Sequence, residues 1–195
     1  MLVSVDDEII GGFAVADVIR PEAREMVAAL QRLGVAYTIL LSGDNHYTAE
    51  AIARQAGISQ TRAELMPEDK LSALKALEKE YGVVGMVGDG VNDAPALAGA
   101  TVGIAMGGSG NEAALETADV VLMSNHLSGL PFAVGLGQAT ASVIRQNLAI
   151  ALGVIVLLTA SSILGWIGLG SAVLLHEGST VAVALNSLRL LRSHS

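Results

Sequence analysis

An α/β fold built on a parallel sheet, followed by a two-helix hairpin of membrane-spanning length, is the architecture that this 195-residue sequence predicts. Three observations carry that expectation. Through residue 125, strand-like and helix-like segments alternate, as they do where parallel strands are joined by crossover helices. The run Gly88-Asp89-Gly90-Val91-Asn92-Asp93-Ala94-Pro95-Ala96-Leu97 sets two carboxylates and an Asn on a turn leaving an apolar stretch. Beyond Leu148 the chain holds two nearly uncharged stretches, each of about 20 residues, the length that crosses a bilayer.

Each element has a local reason. Ile9 to Ala16 reads as a strand or extended linker. Pro21 opens a helix whose apolar stripe of Ala23, Met26, Val27, Leu30 and Leu33 ends at Gly34. Val35 to Leu41 reads as a buried strand ending in Ser42-Gly43-Asp44, and His46 to Gln55 as a helix stopped by Gly57. Pro67-Glu68-Asp69-Lys70 begins a helix through Glu80, with acids near its positive dipole end. Tyr81 to Val87, rich in Val, reads as a strand buried on both faces, with Asp89 at its carboxyl end and Asn92 or Asp93 capping the next helix. Gly88 and Gly90 are read as permitting the sharp turn. Thr101 to Ala105 and Val120 to Met123 are two further strands around a helix over Asn111 to Thr117. The Gly107-Gly108-Ser109-Gly110 stretch lacks the spacing and Lys of a phosphate loop and reads as a plain turn.

Charge separates the chain into two parts. Eighteen of the 19 acidic residues precede residue 144 and face eight Lys and Arg, a net charge of −10 there; beyond it stand Arg145, Arg189 and Arg192 against Glu177. An acidic lobe on an uncharged tail argues against nucleic acid as partner, since phosphate binding needs a basic face. The absence of Cys fits a reducing compartment and removes disulfides and thiolate metal sites from consideration. The N-terminal residues show no basic region and apolar core of a signal peptide. Leu148 to Gly170 and Ser171 to Leu191 are read as two spans with a short loop between them, flanked by Arg at both ends, which places both ends in the cytoplasm. A buried helical hairpin is the alternative. The expected organisation is residues 1–125, a connecting helix over 126–147, and a membrane hairpin with a short tail over 148–195.

Ligands of open α/β sheets bind at the carboxyl ends of the strands. Asp89 and Asp93 at such an end suit Mg²⁺, a hard cation that takes one or two carboxylates together with water and phosphate oxygens. Taken alone, Lys70 is an ordinary solvated first-turn residue, and Ser42 with Asp44 an ordinary turn.

Together and in this order, Ser42-Gly43-Asp44, Met66-Pro67-Glu68-Asp69-Lys70 and Gly88 to Pro95 resemble the phosphorylation domain of P-type ATPases. Asp17-Val18-Ile19-Arg20-Pro21 resembles the strand that re-enters that domain from the nucleotide-binding domain. Glu116-Thr117-Ala118-Asp119 and Ile144-Arg145-Gln146-Asn147, followed by two spans, resemble the heavy-metal-transporting branch. The resemblance implies a partial haloacid-dehalogenase-like sheet that uses Mg²⁺ and ATP. In that scheme Ser42, with Gly43 and Asp44, meets a phosphoryl oxygen, Lys70 supplies positive charge, and Asn92 holds phosphoryl oxygens. Asp89 ligates Mg²⁺, with Asp93 as ligand or orienter, and the work is positioning and charge stabilisation. The family's nucleophile segment, Asp-Lys-Thr-Gly-Thr, does not occur, and with it goes the central strand between those ending at Ser42 and Asp89. The missing amino-terminal part of the pump is therefore an expected partner, and this chain alone is expected to form no aspartyl phosphate.

His176 and Glu177 lie within the second span, where ionisable residues are costly and by default functional. An imidazole and a carboxylate suit a borderline divalent ion such as Co²⁺, Zn²⁺ or Fe²⁺. His176-Glu177-Gly178-Ser179-Thr180 resembles the last helix of the cobalt-type subgroup of heavy-metal pumps. Successive helical residues point about 100° apart, and the alternative reading is that one of the pair only snorkels or bonds a neighbouring group. His46, His126 and His194 have no ligand spacing. The leading expectation is a piece of an ATP-driven pump for Co-, Zn-, Cd- or Fe-type ions, embedded in the lipid bilayer of the cell membrane with its charged lobe in the cytoplasm. Two rivals are a non-catalytic fragment that reconstitutes with a separate amino-terminal chain, and a membrane-anchored phosphatase, which the absent nucleophile disfavours.

Overall fold

The structure, a computed structural model, describes residues 2–6, 8–12, 18–89, 92–107, 116–124 and 126–192. Contacts divide the chain into two units, residues 1–131 and 132–195. In the first, β1 (Leu2–Val5) and β2 (Glu8–Gly12) pair antiparallel, with Asp6 in the left-handed region at φ 51°. The strand expected from Ile9 is described over Glu8–Gly12, and residues 13–17, including Asp17, lie outside the described residues. Strand β1 escaped the sequence reading; of the apolar side chains described on the hairpin, Val3, Ile9 and Ile10 are all exposed.

Helix α1 (Ala23–Arg32) buries Ala23, Val27 and Leu30, one stripe at helical spacing, and gives way to Gly34 at φ 89°. Helix α2 (His46–Ala56) starts where the Asn45 side chain accepts the Thr48 N–H at 3.0 Å, and stops at Gly57, whose φ of 74° is the left-handed cap that glycine adopts without strain. Its buried face is Ala49, Ala53 and Ala56. Helix α3 (Pro67–Tyr81) is entered through the Asp69 carboxylate, which accepts the Met66 N–H at 3.0 Å, and buries Ala73, Leu74 and Leu77.

The sheet comes in two parts. Strand β3 (Ile39–Leu41) pairs in parallel with β4 (Gln60–Arg62), while β5 (Gly85–Gly88), β6 (Val102–Met106) and β7 (Val120–Leu122) form a second parallel sheet in that order. No ladder joins β3 to β5. Two expectations are corrected here. The strand expected from Val35 begins only at Ile39 and its residues are half-buried, with Tyr37 exposed before it. Strand β5 begins at Gly85, because Tyr81 closes α3, and only Met86 on it is buried while Gly85 and Val87 are exposed. A parallel strand is buried on both faces when it has neighbours on both edges and helices above and below. Among the described residues β5 has β6 alone beside it. Strand β4, Gln60-Thr61-Arg62, was missed because it carries no apolar signal.

Helix α4 (Ala94–Gly99) sets Ala96 and Leu97, each 1% exposed, into a core with Leu74, Met86 and Ala105. Leu41 of β3 packs on the same cluster, so both sheet parts lean on one core. The loop helix expected over Asn111 to Thr117 and the Gly107–Gly110 turn fall largely on residues outside those described. Lys75 ties α3 to the end of α4 by donating to the Gly99 carbonyl, and Glu78 accepts from Lys75 and from Thr101 Oγ1, both at 2.8 Å. The Lys75 ammonium first, then the Thr101 hydroxyl, hold the Glu78 carboxyl below the usual carboxylate range. A depressed carboxylate stabilises fully above its unfolded pKa and loses that contribution as pH falls through the folded value. Relative to Glu78→Gln, the native chain should keep a constant melting advantage above about pH 5 that closes on acidification, read by melting curves of both proteins across pH.

In the second unit, α5 (Gly129–Ile163) is one continuous helix, so the connecting segment from Gly129 onward is helical and unbroken into the apolar stretch. Its 35 residues reach roughly 52 Å at about 1.5 Å per residue. A turn with Gly165 at φ 72° leads to α6 (Leu169–Ser187), and Leu188 to the short α7 (Arg189–Arg192). Among the described residues α5 alone is long and apolar enough to cross a membrane. Most of the expected second span, Ser171 to Leu191, is helical in α6. Helix α6 has 19 residues, and His176, Glu177 and Asn186 dilute its apolar content.

Candidate functional site

Lys70, in the first turn of α3, reaches across to the residues that follow β5. Its Nζ donates to Asp93 Oδ1 at 2.7 Å, and both side chains are only 15% exposed. Asp93 occupies the N-cap position of α4 with φ −100° and ψ 0°, yet its carboxylate makes no capping bond. The capping role expected of this residue is therefore corrected: the strong pairing with an ammonium draws the carboxylate away from the helix N–H groups. Asp89 and Asn92 lie exposed beyond the end of β5, and Gly90 and Val91 between them are outside the described residues. The expected turn role of Gly88 also changes, since its φ is not among the positive values.

Ser42, Gly43 and Asp44 follow β3. The Asp44 carboxylate accepts the Ser42 Oγ proton at 2.8 Å, and the Asp44 N–H donates back to that Oγ at 3.1 Å. The turn is laced to the segment after β4: the Ser42 N–H donates to the Arg62 carbonyl at 3.0 Å, Leu65 N–H to the Ser42 carbonyl at 3.0 Å, and Glu64 N–H to the Asp44 carbonyl at 2.8 Å. Glu64 achieves this at φ 58°, a conformation rare for a residue with a side chain and one that tends to gather at functional sites. A Cβ on Gly43 would stand 3.2 Å from the Leu65 carbonyl oxygen. Leu65 leads straight into Met66 and α3. The Ser42 turn and the helix bearing Lys70 are thus held by one backbone lattice, although no hydrogen bond joins the Ser42–Asp44 pair to the Lys70–Asp93 pair. Nothing in the sequence pattern marked Glu64, because a non-glycine left-handed residue has no periodic signature.

The donor chemistry fits Mg²⁺. Two hard carboxylates, Asp89 and Asp93, follow one strand end, and Asp93 Oδ1 is engaged by Lys70 while Oδ2 turns toward Gly88. A cation or phosphoryl group there would meet the ammonium of Lys70.

The second unit holds different chemistry. His176 and Glu177 are exposed in the middle of α6, and the carbonyl of His176 accepts Ser179 Oγ at 2.6 Å and Thr180 Oγ1 at 3.4 Å. Among the described residues no three His, Asp or Glu side chains converge into a metal-binding group. A bundle of amides, of which the sequence reading named Gln146 and Asn147 but not Asn186, clasps α5 to α6. Asn186 Nδ2 donates to Asn147 Oδ1 at 2.9 Å and to Gln146 Oε1 at 3.2 Å, Asn147 Nδ2 donates to Ser187 Oγ at 2.9 Å, and Arg189 donates to Asn186 Oδ1 at 3.1 Å. His46 is exposed and pairs with Glu50, His126 is exposed, and His194 lies outside the described residues.

With parallel strands ending at Ser42 and Asp89 and a Lys bridging to Asp93, the first unit has the layout of a phosphoryl-transfer fold. The chain belongs to the haloacid dehalogenase-like hydrolase family, whose model matches residues 2–101. Within it, the chain is homologous to part of the heavy-metal P-type ATPases. It is 49% identical over 192 residues to a probable cadmium-transporting ATPase of Staphylococcus aureus, covering 98% of this chain and 26% of that protein. It is 48% identical over 192 residues to the zinc-transporting ATPase of Bacillus subtilis, covering 98% of this chain and 30% of that protein. The crystal structure of a zinc-transporting PIB-type ATPase in its E2.Pi state superposes with a TM-score of 0.86 at 45% identity, over 97% of this chain and 31% of that one. The chain thus spans between a quarter and a third of the length of these relatives.

Proposed function

We propose that this chain is part of an ATP-driven transporter of divalent transition-metal ions, supplying the Mg²⁺- and phosphate-binding half of the phosphorylation domain together with a membrane metal site. The Lys70–Asp93 pair at the end of β5 carries the first half of the reading, because a mostly buried ammonium bound to a carboxylate that has given up its capping role suits a site for phosphoryl oxygens and a cation. Ser42, Gly43, Asp44, Lys70 and Asn92 bind the phosphoryl group, and Asp89 and Asp93 hold Mg²⁺. ATP is bound by parts of the pump outside this sequence. The first unit lies in the cytoplasm and α5 and α6 in the cell membrane, in keeping with the uncharged tail and the Arg residues that flank it.

His176 and Glu177 bind the transported ion. The relatives' names favour zinc or cadmium, and the His-Glu-Gly run favours the cobalt-type subgroup. Since no third His, Asp or Glu joins them among the described residues, further donors come from other helices of the pump. Metal content per chain, measured after dialysis of the detergent-solubilised protein against Zn²⁺, Cd²⁺ or Co²⁺, should fall in Glu177→Gln and His176→Ala. Equal content in all three proteins would remove these residues from the transport path.

Among the described residues β3 and β5 each have one edge without a partner strand, which favours a second reading, in which a separate amino-terminal chain supplies the missing strand and this chain acts through that partner. Co-purification with a polypeptide bearing Asp-Lys-Thr-Gly-Thr supports it, and failure to associate at micromolar concentrations opposes it.

A further inference from the structure

Gly88 does not need to be glycine for its own backbone, since its φ is outside the left-handed region. Space is the reason it must lack a side chain. A Cβ built on Gly88 would stand 2.8 Å from Asp93 Oδ2, 2.9 Å from Asp93 Cβ and 3.2 Å from Asp93 Cγ. The carboxylate of Asp93 is folded back over the α-carbon of Gly88, and from that place its other oxygen, Oδ1, meets Lys70 at 2.7 Å. A second observation points the same way. Asp93 stands at the N-cap of α4, where a carboxylate ordinarily accepts a helix N–H, and makes no such bond.

We propose that Gly88 is a positioning residue of the phosphoryl-binding site: the empty volume beside its α-carbon is the seat of the Asp93 carboxylate, which in turn fixes the ammonium of Lys70. The proposal deepens the reading of this site given above and rests on it for its functional meaning. A methyl group at position 88 evicts Asp93 from the seat, after which the carboxylate falls back to capping α4 and the Lys70 ammonium is released into solvent. Gly88 touches neither metal nor phosphate in this role.

The test reads Lys70 directly, without metal, nucleotide or turnover, so that its outcome is separate from whether the chain serves a pump. The sequence holds three lysines, Lys70, Lys75 and Lys79. Brief acylation of the detergent-solubilised full chain, followed by peptide mapping, gives the labelling of Lys70 relative to the outward Lys79. The native chain should label Lys70 slowly, and Gly88→Ala should raise the ratio at least fivefold. Asp93→Gly should raise it as much, and adding Gly88→Ala to Asp93→Gly should change nothing further. Should Gly88→Ala fail to fold, the space argument requires the double variant to fold as well as Asp93→Gly does. A ratio unchanged within twofold in a folded Gly88→Ala overturns the proposal; where Gly88→Ala does not fold, a double variant that also fails to fold while Asp93→Gly folds overturns it.

Discussion

Replacing Gly103 by alanine should cost about 3 kcal/mol or more and melt the second sheet, one of the largest effects of any single methyl group in this chain. The added Cβ would lie 2.5 Å from the carbonyl oxygen of Leu97 and 3.1 Å from its carbonyl carbon. Both are backbone atoms of α4, so no rotamer change relieves the clash. Strand β6 cannot retreat either, because Gly103 donates its N–H to Asp119 Oδ2 at 2.8 Å and its carbonyl accepts the Asp119 N–H at 2.9 Å. Helix α4 must therefore move, and it carries Ala96 and Leu97, two of the most deeply buried residues of the core. Hydrogen exchange of peptides covering β6 and α4 reports this unit separately from the apolar helices. Protection that survives in Gly103→Ala with less than a tenfold change would show that α4 is not pressed onto β6 as described.

Removing the charge of Lys70 is the second large effect. Lys70→Met keeps an apolar stem of similar reach and leaves the Asp93 carboxylate, 15% exposed, without its cation. Truncating one partner of a fully buried pair costs about 3–5 kcal/mol. Partial exposure here brings the expected loss to about 2 kcal/mol, within the range for a hydrogen bond to a charged group. Asp93→Asn should restore part of it, since the orphaned charge is then gone. A double-mutant cycle over the two residues, by chemical denaturation followed through hydrogen exchange, should return a coupling of about 1–2 kcal/mol. Additivity within about 0.5 kcal/mol would mean that the pair is only a surface contact.

Both effects bear on what the sequence could disclose. Helices with explicit stops were legible: the stripe of Ala23, Val27 and Leu30 before Gly34, and the helix from His46 that Gly57 ends. The motifs that hold Ser42, Lys70 and Asp89 were legible as a pattern, because their order along the chain is itself specific. Their local geometry was not. That Asp93 forgoes its cap depends on a contact with Lys70, 23 residues away in sequence, and the need for Gly88 depends on where that carboxylate goes. Strand β4, Gln60-Thr61-Arg62, was invisible because it has no apolar residue to mark it, and β5 read as fully buried because a Val-rich run implies a covered strand. The amide clasp around Asn186 needs two helices in register, which no single segment announces.

This chain is proposed to carry the Mg²⁺- and phosphate-binding half of a phosphorylation site, without the carboxylate that is phosphorylated. The most direct test is acid-quenched labelling with γ-labelled ATP and Mg²⁺ of the full chain in detergent, alone and after mixing with a polypeptide that carries the family's Asp-Lys-Thr-Gly-Thr strand and nucleotide-binding domain. The account predicts no acid-stable label on this chain alone, and a label in the mixture that resides on the added polypeptide and disappears with Lys70→Met. An acid-stable acyl phosphate on this chain alone would contradict it, because a nucleophile would then lie among residues assigned here only to binding.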